Sequence, residues 1–180
     1  MSYFWYFLLY GFFGYLLEKL FAYAVRSPHR VRKGFLLAPI CPVYGLAMCA
    51  VLALGAERVK PFWELALLGG TAATAVEYAV HWACEAVLGV QFWDYSATKM
   101  DVNGRICLPF SVAWGLLSAA AVRFLHPIVA VLAARVSPAV TNAVLLCLGI
   151  DALWSIGVLL RWGDIDLLAP ARLRRRLRAL

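Results

Sequence analysis

Charge is scarce along this chain. Only 15% of its 180 residues are Asp, Glu, Lys or Arg, and 64% are hydrophobic, where soluble domains run at about a quarter charged and about half apolar. That balance excludes an ordinary water-soluble globule. The net charge of +7 is no nucleic-acid footprint either. The basic residues sit in loops and at the C-terminal end, where they suit anionic lipid headgroups. Chemical motifs are missing as well. Without G-x4-G-K-[ST], the chain cannot hydrolyse ATP by the P-loop mechanism. Neither G-x-S-x-G nor H-E-x-x-H occurs. Cys41, Cys49, Cys84, Cys107 and Cys147 form no C-x-x-C pair, so they read as small packing residues. Met1–Tyr10 has no basic n-region and no small-residue cleavage site follows it, so the first apolar run reads as a retained helix. No cofactor is expected.

What the chain has instead is apolar runs long enough to span a bilayer, which takes about 20 residues. The fold expected is an all-α polytopic transmembrane bundle of about five spanning helices. These run over residues 3–25, 34–55, 62–90, 106–125 and 139–160, within one membrane domain (1–165) followed by a basic cytoplasmic tail (166–180). The segment 128–136 is itself apolar, and lies in the interface or extends a neighbouring helix. Basic residues collect in the first loop (Arg26, Arg30, Arg32, Lys33), the third loop (Lys99, Arg105) and the C-terminal end. The positive-inside rule then places the N-terminus outside and the C-terminus in the cytoplasm. In the tail, Leu173, Leu177 and Leu180 share a face that could lie on an anionic leaflet.

Two stretches repeat a pattern. Gly34, Pro39, Tyr44, Gly45 and Leu46 fall, shifted by seventy residues, on Gly104, Pro109, Trp114, Gly115 and Leu116, both reading G-x4-P-x4-[Tyr/Trp]-G-L. This suggests two parallel two-helix half-repeats (about 3–55 and 62–125) with the fifth helix added, related by an axis along the membrane normal. Pro39 and Pro42 cannot both sit in the first turn of a helix starting at Gly34. A helix starting near Val43 is too short to span alone. Residues 34–42 are therefore expected to enter the membrane as non-helical backbone, tolerated only where protein covers it or a cavity solvates it.

Ionisable groups inside spanning segments are costly and default to functional hypotheses. Glu18 lies late in the first helix. Glu77, His81 and Glu85 share one face of the third. Asp151 sits in the fifth, one turn before Ser155. With Pro39, Pro42 and Tyr44, these acids and His81 form the candidate site for a small polar or amphiphilic substrate or an ion. A structural alternative has Glu18 and Glu85 neutral and donating to carbonyls freed by the prolines. The E-x3-H-x3-E face could contribute to a metal site only with ligands from elsewhere. The loop "QFWDYSATKMDVNGR" is a candidate gate or coupling element through Trp93, Asp94, Tyr95, Ser96, Asn103 and Arg105. Asp94 is expected to pair with Arg105, and Asn103-Gly104 marks a turn.

"GYLLEKLFAY", "RKGFLLAPICPVYG", "EYAVHWACEAVLGVQFWDYS" and "NGRICLPFSVAWG", in this order, resemble the bacterial family called putative ABC-transporter type IV, or CmpB-like. The resemblance covers Gly11 to Ser118, with a weaker echo at Asp151. The sequence departs from the family's pattern with Lys33 in place of arginine and Ala38 in place of glycine. The resemblance implies a permease component. Its ATPase would be a separate protein, docking on Arg26–Lys33, Gln91–Arg105 or the basic tail, and a homo-oligomer is a further possible arrangement. The leading expectation is thus a transporter-type membrane subunit binding its substrate between two half-repeats. The alternatives are a membrane-embedded enzyme using Glu77, His81 and Glu85, and a non-catalytic scaffold.

Overall fold

In hydrocarbon every backbone amide must find its partner within the protein, and helices achieve this segment by segment. A computed structural model describes residues 1–24 and 35–168 together with Arg172 and Arg176. The basic loop Arg26–Lys33, Gly34 and the tail leucines Leu173, Leu177 and Leu180 lie outside the described residues. The helices are α1 (Ser2–Ala24), α2 (Pro42–Ala53), α3 (Phe62–Leu88), α4 (Leu108–Ala120), α5 (His126–Ala134) and α6 (Pro138–Trp162). Short 3-10 turns occupy Ala56–Arg58 and Ile165–Leu168, and strands β1 (Asp101–Val102) and β2 (Ile106–Cys107) pair antiparallel in the loop after α3. Among the described residues three helices are long and apolar enough to cross a bilayer: Ser2–Ala24, Leu108–Ala134 and Pro138–Trp162. The 27-residue α3 would extend about 40 Å at 1.5 Å per residue, but Glu77, His81 and Glu85 lower its hydropathy.

One boundary differs from the sequence reading. The fourth helix does not end at Leu125. A π-helical turn over Ala121–Leu125 joins α4 directly to α5, so the apolar stretch from Ile128 extends the helix. Pro127 stands in the first turn of α5, where its missing N–H would otherwise break the ladder. A widened turn before a proline absorbs that mismatch.

Pro42 and Pro109 both occupy first-turn positions, of α2 and α4, where proline fits. The stretch before Pro42 is irregular, as the proline spacing requires, and four of its amides find separate acceptors. Leu37 N–H and Ala38 N–H donate to the Asp151 carboxylate at 3.0 and 2.8 Å. Ile40 N–H donates to the Ala38 carbonyl and Cys41 N–H to the Gly11 carbonyl, at 2.7 and 2.9 Å. Pro39 has no amide proton to satisfy.

Helices approach closely where side chains vanish. A Cβ added to Gly45 would lie 2.3 Å from the Phe7 carbonyl oxygen, closing α2 on α1. A Cβ on Gly115 would lie 2.6 Å from the Ala66 carbonyl oxygen, closing α4 on α3. One buried apolar cluster gathers Tyr10, Met48, Val51, Leu65, Ala119 and Val129 from α1 to α5. A second gathers Val90, Val158, Leu159, Leu167 and Leu168, and so brings the C-terminal ends of α3 and α6 to the same end of the bundle. The thiols of Cys49, Cys84, Cys107 and Cys147 are free of disulfides.

Candidate functional site

Between α1, α2, α3 and α4 lies a cavity of about 220 Å³. Its walls are apolar and aromatic: Tyr10, Phe13 and Leu17 from α1, Tyr44 and Met48 from α2, Trp114 and Leu117 from α4. Glu77, from the middle of α3, is the one carboxylate among the lining side chains, and it is only 4% exposed. An isolated carboxylate in such surroundings would be prohibitive. Two donors compensate it. Tyr95 O–H donates to Oε1 at 3.0 Å, and Trp114 Nε1–H donates to Oε2 at 2.9 Å. Each oxygen keeps lone-pair capacity beyond its single bond.

A second carboxylate is held in the same manner nearby. Tyr44 O–H donates to Glu18 Oε1 at 2.7 Å, and the Tyr44 and Trp114 rings meet edge to face at 4.9 Å. Each pair joins an acid on one helix to an aromatic donor on the next, and the two pairs touch through their rings. Glu18 therefore accepts from a phenol rather than donating to a carbonyl freed by proline.

The other candidates divide into separate groups. His81 is buried, and Nε2–H donates to the Trp93 carbonyl at 2.9 Å. Its Nδ1 has no hydrogen-bond partner and stands 3.9 Å from Glu85 Oε2. Glu85, near the end of α3, is engaged by the loop. Arg105 Nη2 and Nε donate to Oε2 at 2.7 and 3.3 Å, and Gln91 donates to Oε1 at 3.1 Å. The expected Asp94–Arg105 pair is thus replaced by Glu85–Arg105. Asp94 turns back on its own loop and accepts from Ser96 N–H at 2.8 Å and Ser96 O–H at 2.9 Å. These bonds hold its carboxyl below the usual carboxylate range, the backbone N–H contributing most and the hydroxyl next.

The loop is tied to α3 from several sides. Trp93 Nε1–H donates to the Arg105 carbonyl at 2.9 Å, and Asn103 and Arg105 both donate to the Tyr78 hydroxyl, at 3.2 and 3.0 Å. Asn103 and Gly104 take left-handed φ values of 55° and 68°, the conformation that an Asn-Gly turn supplies.

Of the residues singled out for binding, only Tyr44 and Glu77 line the cavity. Asp151 satisfies the entry segment, accepting also from Ser155 O–H at 3.3 Å. Pro39 and Pro42 shape that segment without reaching the cavity wall, and His81 and Glu85 lie toward the loop. Among the described residues no group of three His, Cys, Asp or Glu could hold a metal ion. The sequence reading missed Trp114 as a site residue, although its alignment with Tyr44 carried the signal. It also missed the buried His126, whose partners Glu57 and Tyr10 lie 69 and 116 residues away.

A family model described as putative ABC-transporter type IV matches residues 5–156, a span holding every helix that lines the cavity and reaching Asp151. The chain belongs to this family. No curated protein and no solved structure matches the chain. In this type IV family chain the matched span thus contains both acid–aromatic pairs, the Glu85–Arg105 loop closure and the capped entry segment.

Proposed function

We propose that this chain is a permease-type membrane subunit, and that it binds a small amphiphilic cation in the cavity between two like halves. The observation that carries the reading is Glu77, a buried carboxylate facing a cavity whose other walls, Ser118 apart, are apolar or aromatic. A cation with a short apolar body would meet the carboxylate at one end and aromatic faces at the sides, where cation–π attraction adds to it. At about 220 Å³ the space is smaller than the ~300–1,000 Å³ of drug-sized pockets, so the ligand is small.

Support for two halves comes from paired contacts. The offset that carries Glu18 onto Glu77 also carries Phe7 onto Ala66 and Gly11 onto Gly70. The offset that carries Tyr44 onto Trp114 carries Gly45 onto Gly115 and Cys41 onto Ser111. Gly45 abuts Phe7 as Gly115 abuts Ala66, and Gly11 abuts the Cys41 carbonyl as Gly70 abuts the Ser111 carbonyl. Tyr44 serves Glu18 as Trp114 serves Glu77. The loop 91–107 bonds both to Glu77 through Tyr95 and to Glu85 through Arg105. A separate ATPase pressing on this loop would reach the cavity through Tyr95.

The test is equilibrium binding of radiolabelled benzyltrimethylammonium to purified protein in lipid nanodiscs. Saturable binding is expected, weakened at least tenfold in Glu77→Gln with helix content and melting temperature retained. Equal binding by the variant, or no saturable binding by the native chain, would sink the reading.

A further inference from the structure

At the opposite end of the cavity from the Tyr95 loop, three side chains distant in sequence form a continuous hydrogen-bonded file. Glu57, in the turn after α2, is 60% exposed. Its Oε1 lies 2.7 Å from His126 Nε2, and His126 Nδ1 lies 3.1 Å from the Tyr10 hydroxyl oxygen. His126 and Tyr10 are 4% and 3% exposed, and Tyr10 lines the cavity that holds Glu77. The file therefore starts in solvent, crosses a buried imidazole and ends at the cavity.

We propose that Glu57, His126 and Tyr10 are a proton relay through which the outer face exchanges protons with Glu77. This stands whatever ligand the cavity takes. Imidazole suits such a position because one nitrogen can accept a proton while the other releases one. In the step, protonated Glu57 gives its proton to His126 Nε2, and the proton on Nδ1 passes to the Tyr10 oxygen. The Tyr10 hydroxyl releases its own proton into the cavity. One proton enters at Glu57, one leaves at Tyr10, and the ring finishes as its other tautomer. Tyr10 and Glu77 line the same cavity, and a water bridging between their polar atoms would carry the proton on to Glu77.

The surroundings keep the file distinct from other charges. On α1, Tyr6 packs edge to face on the His126 ring at 4.9 Å, and the Cys49 thiol of α2 donates to the Tyr3 carbonyl at 3.5 Å. Arg58, beside Glu57 in its turn, is exposed. Arg123, in the turn before α5, is exposed and donates to the Lys60 carbonyl. The π-helical turn Ala121–Leu125 ends immediately before His126, and such turns often mark functional positions.

Time-resolved infrared spectroscopy of the protein in nanodiscs after a light-triggered proton release tests this. The reporter is the carboxyl C=O stretch that disappears in Glu77→Gln. Tyr10→Phe preserves the ring packing and interrupts the file, so the Glu77 band is expected to rise at least tenfold more slowly, to an unchanged final amplitude. Glu57→Gln, at an exposed position, is expected to slow it severalfold and guards against a folding defect in the first variant. Unaltered rates in both variants, or the lack of any band that Glu77→Gln removes, would overturn the relay.

Discussion

Asp94 shows how a single side chain can stabilise a loop without meeting an opposite charge. Its two oxygens are taken by the amide and hydroxyl of Ser96, which lowers its pKa. A group depressed on folding contributes stability above its unfolded value, near 3.9, and loses that contribution as pH falls through the folded value. Limited proteolysis of the loop 91–107 should therefore be flat at neutral pH and rise below about pH 4. Asp94→Asn should show faster cleavage at neutral pH and a smaller acid-induced increase. The same residue shows where sequence reasoning stops. Asp94 and Arg105 are oppositely charged and share a loop, but Glu85 lies where Arg105 can reach it, and Tyr78 gives the guanidinium a further acceptor. Glu77 was legible because a carboxylate in an apolar run has few bland explanations. His126 was not, because its meaning depends on Glu57 and Tyr10, which the fold alone brings together.

At the level of helices, glycines that allow backbone contact work beside the buried side-chain cluster of α1 to α5. Gly45→Ala and Gly115→Ala would each push a Cβ into a carbonyl of the neighbouring helix, at 2.3 and 2.6 Å. Overpacking of this kind costs about 1–3 kcal/mol. Each variant should melt at lower temperature in detergent, whereas Gly149→Ala, whose added carbon meets nothing outside its own stretch of helix within 4 Å, should melt no lower than the native chain. The irregular entry before Pro42 could be read from the sequence because proline geometry excludes the alternative. The helix continuing from Ala121 through Ala134 was legible only as one of two readings of the apolar stretch 128–136, because His126-Pro127 looks like a boundary. The π-helical turn that carries the chain past it has no composition of its own.

For the molecule as a whole, Val90 and Phe92 after α3 pack with Leu167 and Leu168 after α6, so the loop 91–107 and the C-terminal segment share one end. Glu57 and His126 mark the other end of the cavity. From the basic residues near the first of these ends we propose, by the positive-inside rule, that it is the cytoplasmic one. In a chain whose five cysteines are replaced by alanine, Glu57→Cys should react with a membrane-impermeant maleimide in intact cells. Lys99→Cys should react only in inverted vesicles. The opposite pattern would reverse the orientation, and with it the face from which protons reach Glu77.

The two amides at Leu37 and Ala38 find their acceptor on Asp151, 114 and 113 residues further along. During translation these donors are made early, while the helix that answers them leaves the ribosome more than a hundred residues later. Until it arrives, the gap between the first two helices remains unsealed against the surrounding lipid. Truncation just before Pro138 would therefore leave the earlier helices inserted but with this entrance unfinished.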